Sequence, residues 1–423
     1  MEAKKLSTEP YKGVRDFYPK EMAVQDYIFS VWQQTAESFG FEHYEASVLE
    51  RAELYKAKGA ENEEMVNEQT YTFTDRGDRE VTLRPEMTPT VARMIAARSR
   101  ELAFPVRWYS IPNLFRYERA QRGRLREHWQ LNCDIFGVDN SSADVELISL
   151  AYQIFIDFGA SPDMFEILIN NRATMNHAYA ALGITDPDTV TAITRLNDRK
   201  DKIPAAAYQS ALMEITKSEQ LTTDITTMIE ADDPGDNQLI QDLKELGITN
   251  VRLDRSLARG FDYYTGTVFE CKDTHPDNRR SLLGGGRYDN LTGLFSNDPV
   301  SGIGFGFGDV TIRDFLKTHD LLPTDSLTTA PTLMLLPTEP AYNLVAQRLA
   351  AEFRAAGISV GTDFSSRKEV KKIASSKNAG IHFTLRVDAE SAAAEQYTLV
   401  AVVDDSRTTG TATELITEIT TAL

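Results

Sequence analysis

The sequence predicts an α+β fold in which a sheet domain is interrupted by a helical segment and followed by a small α/β domain. Residues 128–138 alternate apolar and polar side chains as a strand does, and a basic hairpin loop joins them to a second strand over 106–118. Residues 171–245 are polar and mostly helical, so we interpret them as an insertion into the sheet domain. After a polar linker with two prolines at 317–332, strands and helices alternate in a βαβα pattern.

Further elements are indicated near the N-terminus. Apolar residues recur at helical spacing over 24–39 and stop at Gly40, which suits a helix C-terminus. A strand is expected to begin within 41–50. The segment EVTLRPEMTPTVARMIAARS is typical of a strand that enters a helix, with Thr88 as the cap and Pro89 at the first helical position.

The chain of 423 residues is too long for one ordinary core. We therefore expect two domains, residues 1–322 and residues 330–423, with the helical insertion at about 171–245 inside the first. A helix is predicted over 140–160, just before the insertion.

The formal net charge of −18 opposes indiscriminate binding to nucleic acid, because a polyanion would be repelled at long range. Any such partner must meet local basic patches, and two are present. They are Arg116, Arg119, Arg122, Arg124 and Arg126 in one segment, and Arg367, Lys368, Lys371, Lys372 and Lys377 in another. The second patch is equally typical of a solvated helix face.

Cys133 and Cys271 are the two cysteines, and they form no CxxC pair. We expect neither a disulfide framework nor a metal site. No apolar run approaches the roughly 18 residues of a membrane span, and the N-terminus lacks the apolar core of a signal peptide. The sequence therefore predicts a cytoplasmic protein without a membrane partner.

The stretch LARGFDYYTGTVFE, residues 257–270, places Arg259 beside Tyr263 and Tyr264. An arginine can hold a carboxylate or phosphate through two parallel hydrogen bonds, and a tyrosine can donate to a ring nitrogen. This pattern is typical of a site for a small charged molecule. A strand with half-buried tyrosines and a surface arginine is the alternative interpretation.

Glycines occupy every second position from Gly302 to Gly308, which on a strand leaves one face without side chains. A flat ring or another backbone fits such a face, and tight strand packing is the alternative. Gln130 and Asp134 share a strand face about 13 Å apart, so they can address opposite ends of one small ligand. The segment GGGRYD is interpreted as a turn before a helix, with Tyr288 facing a ligand.

The segment FRYERAQRGRLREHWQLNCDIFG, residues 115–137, resembles the second motif of class II aminoacyl-tRNA synthetases. Together with LRPEMT, LARGFDYYTGTVFE and GGGRYD in that order, it closely resembles the histidyl-tRNA synthetase family. The similarity begins at GVRDFYP near Gly13 and covers most of residues 11–316.

This resemblance implies a catalytic domain with an antiparallel sheet flanked by helices, a helical insertion, and a C-terminal α/β anticodon-binding domain. A homodimer would form through the first helix and strand. Histidine and ATP would give histidyl-adenylate and pyrophosphate, and the histidyl group would then pass to the terminal ribose of tRNA(His). The ATP would bring Mg²⁺.

The resemblance also implies which residues act on the phosphate. Arg116 and Arg259 would hold the α-phosphate of ATP from opposite sides, and Arg259 would also meet the histidine carboxylate. Attack of a carboxylate on phosphorus needs alignment and charge stabilisation more than a protein nucleophile, so both residues, together with Gln130, are implied to be catalytic.

A second implied set binds histidine, ATP and tRNA. The histidine contacts are Glu86, Thr88 and Gln130 for the ammonium group, Asp134 and Tyr264 for the imidazole ring, and Tyr263 and Tyr288 for the pocket wall. The further ATP contacts are Arg124, Arg126, Gly306 and Gly308, and the tRNA contacts are Arg119, Gln121 and Arg122.

The chain departs from the family pattern at several positions. Ser47 stands where a proline of the first motif is usual, and Asp134 where a glutamate is common. In the third motif Asp309 and Val310 replace an expected Glu-Arg pair, and Arg313 is the next arginine. The C-terminal domain has LRVDAES in place of a Gly-x-Glu turn.

Two alternatives to an active enzyme remain open at this point. One is a regulatory subunit of ATP phosphoribosyltransferase with the same fold. That class typically lacks the arginine present here as Arg259 and the C-terminal domain. The other is a tRNA-binding protein with an inactive site, which the third-motif change favours.

Overall fold

A computed structural model describes residues 5–57, 69–118, 121, 123–200, 203–231, 237–258, 263–323, 327 and 329–422. The chain divides into two compact units, one of Met1–Tyr18 and Val24–Pro323 and the other of Pro19–Ala23 and Thr324–Leu423. In the part of the chain that the structure describes, no helix is long and apolar enough to cross a membrane.

Twelve strands are described before residue 324. They are β1 (Glu42–His43), β2 (Leu49–Arg51), β3 (Tyr71–Thr74), β4 (Glu80–Leu83), β5 (Val106–Ser110), β6 (Asn113–Phe115), β7 (Glu127–Phe136), β8 (Phe165–Asn171), β9 (Val251–Leu253), β10 (Thr267–Asp273), β11 (Ser281–Arg287) and β12 (Gly302–Gly308).

The helices of the same part are α1 (Pro19–Ser38), α2 (Ala52–Lys56), α3 (Thr88–Arg98), α4 (Ser142–Asp157), α5 (Arg172–Ala181), α6 (Pro187–Asn197), α7 (Ala205–Thr216), α8 (Glu219–Glu230), α9 (Gln238–Glu245) and α10 (Asp309–Thr318).

The main sheet has the order β1-β5-β7-β12-β11-β10-β8-β9, and β6 pairs with the outer part of β7. Pairing is antiparallel except at the two edges, where β1 runs parallel to β5 and β9 parallel to β8. One face packs against α1, α4, α9 and α10 through a single apolar cluster that includes Trp32, Phe155 and Phe307. The other face carries polar side chains along its centre, which leaves room for a site.

A small antiparallel sheet, β2-β4-β3, lies beside α2 and α3. Met87, which caps α3, and Val91 and Ile95 on α3 are fully buried in a second cluster with Tyr264 and Tyr288. This packing brings the start of α3 to the polar face of the main sheet.

Helices α5 to α8 share their own apolar cluster, in which Ile193, Leu212 and Ile225 are fully buried. A buried polar chain also joins them, because Asn197 donates to Tyr179 and accepts from Tyr208. Helix α9 instead contributes Leu243 to the core of the main sheet.

The C-terminal unit has a five-stranded sheet with four helices. Its elements are β13 (Leu333–Pro337), α11 (Asn343–Ala355), β14 (Val360–Thr362), α12 (Glu369–Asn378), β15 (Phe383–Val387), α13 (Ala389–Ala394), β16 (Tyr397–Ala401), β17 (Arg407–Gly410) and α14 (Ala412–Ala422). The order is β14-β13-β15-β16-β17, parallel among the first three strands and antiparallel beyond. Leu335, Phe353 and Leu415 are fully buried in its core.

The predicted α+β class is confirmed, but three local predictions are wrong. GGGRYD is no turn before a helix, since its glycines lie inside β11 and pair with β12. The single strand predicted over 106–118 is divided into β5 and β6, whereas the strand expected to begin within 41–50 is confirmed as the short β1. Thr88 is the first helical residue rather than the cap, which is Met87.

Candidate functional site

The glycines of β12 lie opposite the polar residues of β7. Gly304 pairs with Asp134 and Gly308 with Gln130. A Cβ atom at Gly304 would lie 2.1 Å from Asp134 Oδ1, and one at Gly306 would lie 2.5 Å from Gln130 Nε2. The glycines therefore provide the space in which these two side chains lie, on one face of the sheet as the alternation predicted.

Asp134 is the charged centre of this face. Its side chain is buried, and Tyr288 donates a hydrogen bond to its Oδ1. Oδ2 is also buried and has no hydrogen-bond partner among the described residues, so it remains an acceptor for a ligand. Burial raises the pKa of Asp134 to about 7, although the Tyr288 hydrogen bond acts in the opposite direction.

Tyr288 belongs to a cluster of three tyrosines. The ring of Tyr263 lies 4.9 Å from that of Tyr264 and 5.8 Å from that of Tyr288, measured between centroids. Tyr264 packs over Gly286, where a Cβ atom would come within 2.8 Å of its ring. The resemblance placed Tyr288 in the pocket wall, and the structure shows that its hydroxyl donates a hydrogen bond to Asp134.

The start of α3 supplies a second carboxylate. Glu86 is buried, its carboxylate accepts a hydrogen bond of 3.2 Å from Tyr263, and its carbonyl accepts one of 3.3 Å from Tyr55. Thr88 also hydrogen-bonds to Tyr263. Burial raises the pKa of Tyr263 well above its ordinary value, and the nearby Glu86 acts in the same direction. Glu86 and Thr88 therefore reach the tyrosine cluster.

Arg116 lies next to the same segment, since its Nε donates to the carbonyl of Pro85 at 2.8 Å. Burial lowers the pKa of His128 to about 3, and the neighbouring cations Arg116 and Arg15 act in the same direction. Arg116 and Arg15 thus lie near His128, at the opposite end of β7 from Asp134.

The arginine-rich loop is tied down at two points. Arg124 forms an ion pair of 2.8 Å with Glu118, and its backbone pairs with Gln121. Arg126 lies over the ring of Tyr117 at 4.0 Å and donates to the Tyr11 hydroxyl at 3.1 Å. The predicted residues Arg119, Arg122 and Arg259 lie outside the described residues.

Asp309, at the start of α10, anchors a network that sequence reasoning missed. Its fully buried carboxylate accepts from Arg15 at 2.6 Å, from Gln25 at 3.1 Å and from the backbone N–H of Trp129 at 3.0 Å. Arg313 donates to Gln25 at 2.7 Å. The sequence signal that could have indicated this network is Arg15, within the segment GVRDFYP at which the resemblance begins.

Comparison with known proteins agrees with this arrangement. The histidyl-tRNA synthetase family model matches residues 13–309, and the anticodon-binding domain family matches residues 332–421. The chain belongs to the histidyl-tRNA synthetase family. It is 42% identical over 401 residues to a histidine–tRNA ligase of Leptospira biflexa, covering 91% of each chain. It is 43% identical over 331 residues to that of Thermoplasma volcanium, covering 74% of this chain and 76% of the relative.

Solved structures confirm the predicted class II fold. A histidyl-tRNA synthetase of Nostoc sp. superposes with a TM-score of 0.78 at 22% identity, covering 99% of this chain and all of the other. The apo enzyme of S. aureus gives 0.74 at 21% identity over 98% of this chain and all of the other. A Bacillus halodurans structure named as an ATP phosphoribosyltransferase regulatory subunit/histidyl-tRNA synthetase gives 0.67 at 22% identity, covering 91% of this chain and all of that one.

Proposed function

We propose that the chain attaches L-histidine to tRNA(His) in an ATP-dependent reaction through histidyl-adenylate. Membership of the synthetase family supports the reaction. The buried Asp134 carboxylate, on a glycine-lined face, would determine the specificity for histidine. A neutral imidazole offers one N–H donor and one acceptor nitrogen. The unpartnered Oδ2 of Asp134 would accept from the N–H, and the hydroxyl of Tyr264 would donate to the other nitrogen.

This pocket would reject amino acids of similar size. An analogue without ring nitrogens would leave Oδ2 of the buried Asp134 without a partner, which would lower kcat/KM for the analogue by up to about 10⁴-fold relative to histidine. Glu86, Thr88 and Gln130 would bind the ammonium group, with Tyr263 holding Glu86 in place as it does here. Tyr263 and Tyr288 would form the pocket wall.

In the first step a histidine carboxylate oxygen would attack the α-phosphorus of ATP, and pyrophosphate would leave. Arg116 and Arg259 would hold the carboxylate and the α-phosphate in line and stabilise the charge on the equatorial oxygens, and Gln130 would help to orient the carboxylate. In the second step a hydroxyl of the terminal ribose would attack the histidyl carbonyl. AMP would leave and the hydroxyl proton would be released.

Further roles follow from the same proposal. Arg124, Arg126, Gly306 and Gly308 would contact ATP, and Arg119, Gln121 and Arg122 would contact the acceptor end of tRNA. Residues 1–322, including the insertion at about 171–245, would be the catalytic domain, and residues 330–423 the anticodon-binding domain. The protein would act in the cytoplasm as a homodimer. Its molar mass in solution would test the homodimer.

Magnesium would arrive with ATP. Among the described residues no cluster of three His, Cys, Asp or Glu side chains is placed to hold a metal ion. Mg²⁺ typically keeps several waters and binds substrate phosphates with few protein ligands, so this arrangement fits an ion that the nucleotide carries. Its contribution would be to neutralise phosphate charge.

The test is histidine-dependent exchange of pyrophosphate into ATP by the purified chain, followed by a separate assay of transfer to tRNA(His). We expect both activities. Exchange without transfer would refute the second step only. Tight tRNA binding without exchange would favour an inactive binding protein, and neither activity would favour a regulatory subunit.

A further inference from the structure

The side chains of Asn170 and Arg172, near the end of β8, donate hydrogen bonds to backbone carbonyls that lie before and after residues 259–262 in the sequence. Asn170 Nδ2 donates to the carbonyls of Arg255 at 3.1 Å and Leu257 at 2.8 Å. Arg172 donates to the carbonyl of Ala258 at 3.2 Å and to that of Tyr264 at 3.3 Å. Four carbonyls of one chain segment are therefore bound by two neighbouring residues.

The placement of these bonds is informative. Ala258 and Tyr264 stand on either side of residues 259–262 in the sequence, and a single guanidinium bridges them. The backbone N–H of Arg172 also donates to the carbonyl of Gly266 at 2.9 Å. The path of the chain into and out of the segment is thus set by β8 and by the first residue of α5.

We propose that Asn170 and Arg172 are positioning residues of the histidine site, which hold Tyr264 at the correct distance from Asp134 and Tyr288. This inference rests on the proposed function. Neither residue needs to touch a substrate, because both act through the backbone that carries Tyr264 and, in the sequence, Arg259. An arginine suits the position because its planar fork reaches two carbonyls at once.

A purely structural role in the core is less consistent with the surroundings of Arg172. Its side chain is half-buried and lines a cavity of about 360 Å³, whose wall also includes Asn170, Leu257 and Tyr264. A methionine therefore fits at position 172 without displacing packed neighbours.

The test compares Arg172→Met with Arg252→Met, an arginine on the neighbouring β9 with a side chain 55% exposed. For Arg172→Met we expect kcat/KM for histidine in pyrophosphate exchange to fall at least ~10-fold, since two hydrogen bonds are lost. Deuterium uptake by residues 255–266 should rise while uptake by residues 302–308 stays as in the wild type. Arg252→Met should change neither quantity. Arg172→Lys should restore part of the activity, because an ammonium group can still donate to these carbonyls.

Unchanged exchange kinetics in Arg172→Met would overturn the inference, and so would faster deuterium uptake over the whole chain. If that variant fails to fold, Asn170→Ala serves in its place with the same criteria. In the double variant the losses should be less than additive, since both residues hold one segment. A wild-type chain without exchange would refute the proposed function itself, whereas the deuterium measurement would still decide whether these two residues position the segment.

Discussion

The Tyr288 hydroxyl donates to the Asp134 carboxylate directly above Gly304. Asp134 lies on β7, Gly304 on β12, and Tyr288 follows β11, so three adjacent strands build this contact. The absence of a side chain at position 304 is what allows it. This contact thus depends on a residue that has no functional group.

Replacing Gly304 by alanine should abolish histidine binding. The new Cβ would lie 2.1 Å from Asp134 Oδ1 and 2.7 Å from the Tyr288 hydroxyl, so one of the two side chains must move. We expect kcat/KM for histidine in pyrophosphate exchange to fall by about 100-fold or more. Gly293→Ala is the matched control, since its Cβ would meet nothing closer than 3.6 Å. Equal kinetics for the two variants would contradict the prediction.

Asp134→Asn should make the stability of the ligand-free protein less dependent on pH. Burial raises the pKa of Asp134 to about 7 in the folded state, whereas an unfolded aspartate titrates near ~3.9. Between these values the folded chain holds a proton that the unfolded chain has lost, so this group lowers wild-type stability as pH rises through the window.

The gain in unfolding free energy of Asp134→Asn over the wild type should therefore grow from pH ~4 to pH 7, by at most about 1.4 kcal/mol per pH unit, and then level off. Urea unfolding at a series of pH values measures this difference. A constant difference would show that the carboxyl is already ionised in the folded protein at acidic pH.

Arg15→Met should destabilise the fold through Asp309. The aspartate side chain is fully buried and that of Arg15 is 21% exposed. Among the described residues, loss of Arg15 leaves the buried charge with Gln25 and a backbone N–H as its hydrogen-bond donors, at a cost of about 2–4 kcal/mol after allowance for the partial exposure.

The unfolding free energy from urea titration tests this value. Arg51→Met is the control, because its ion pair with Glu53 is largely exposed and should contribute less than ~1 kcal/mol. Adding Asp309→Asn to Arg15→Met should recover part of the loss. A double variant no more stable than Arg15→Met would rule out the buried charge as the cause.

Transfer to tRNA should weaken with salt while pyrophosphate exchange changes little. The net charge of −18 repels a polyanion, so binding must rely on local arginines. Arg122 is one of the proposed tRNA contacts. In Arg122→Gln the slope of log KM for tRNA against log salt should decrease by about one. An unchanged slope would mean that Arg122 does not contact a tRNA phosphate.

Local sequence patterns predicted much of the fold. The alternation over 128–138 indicates β7, and the glycine spacing from Gly302 to Gly308 is typical of the strand that the structure shows as β12. Both patterns arise because successive side chains on a strand point to opposite faces. The same rule placed Gln130 and Asp134 on one face. The error at GGGRYD shows the limit, since glycines are common in turns and yet here they make room for side chains from other strands.

By itself the sequence determined the α+β class and the helical segment inside the sheet domain, because these depend on spacing and composition along the chain. The residues of the proposed histidine site came from the resemblance to the synthetase family. Only the tertiary structure decided that Tyr288 meets Asp134, 154 positions away, and that Arg15 meets Asp309, 294 positions away. Strand order and packing determine such pairs, because they bring together residues that are far apart in the sequence and share no local pattern.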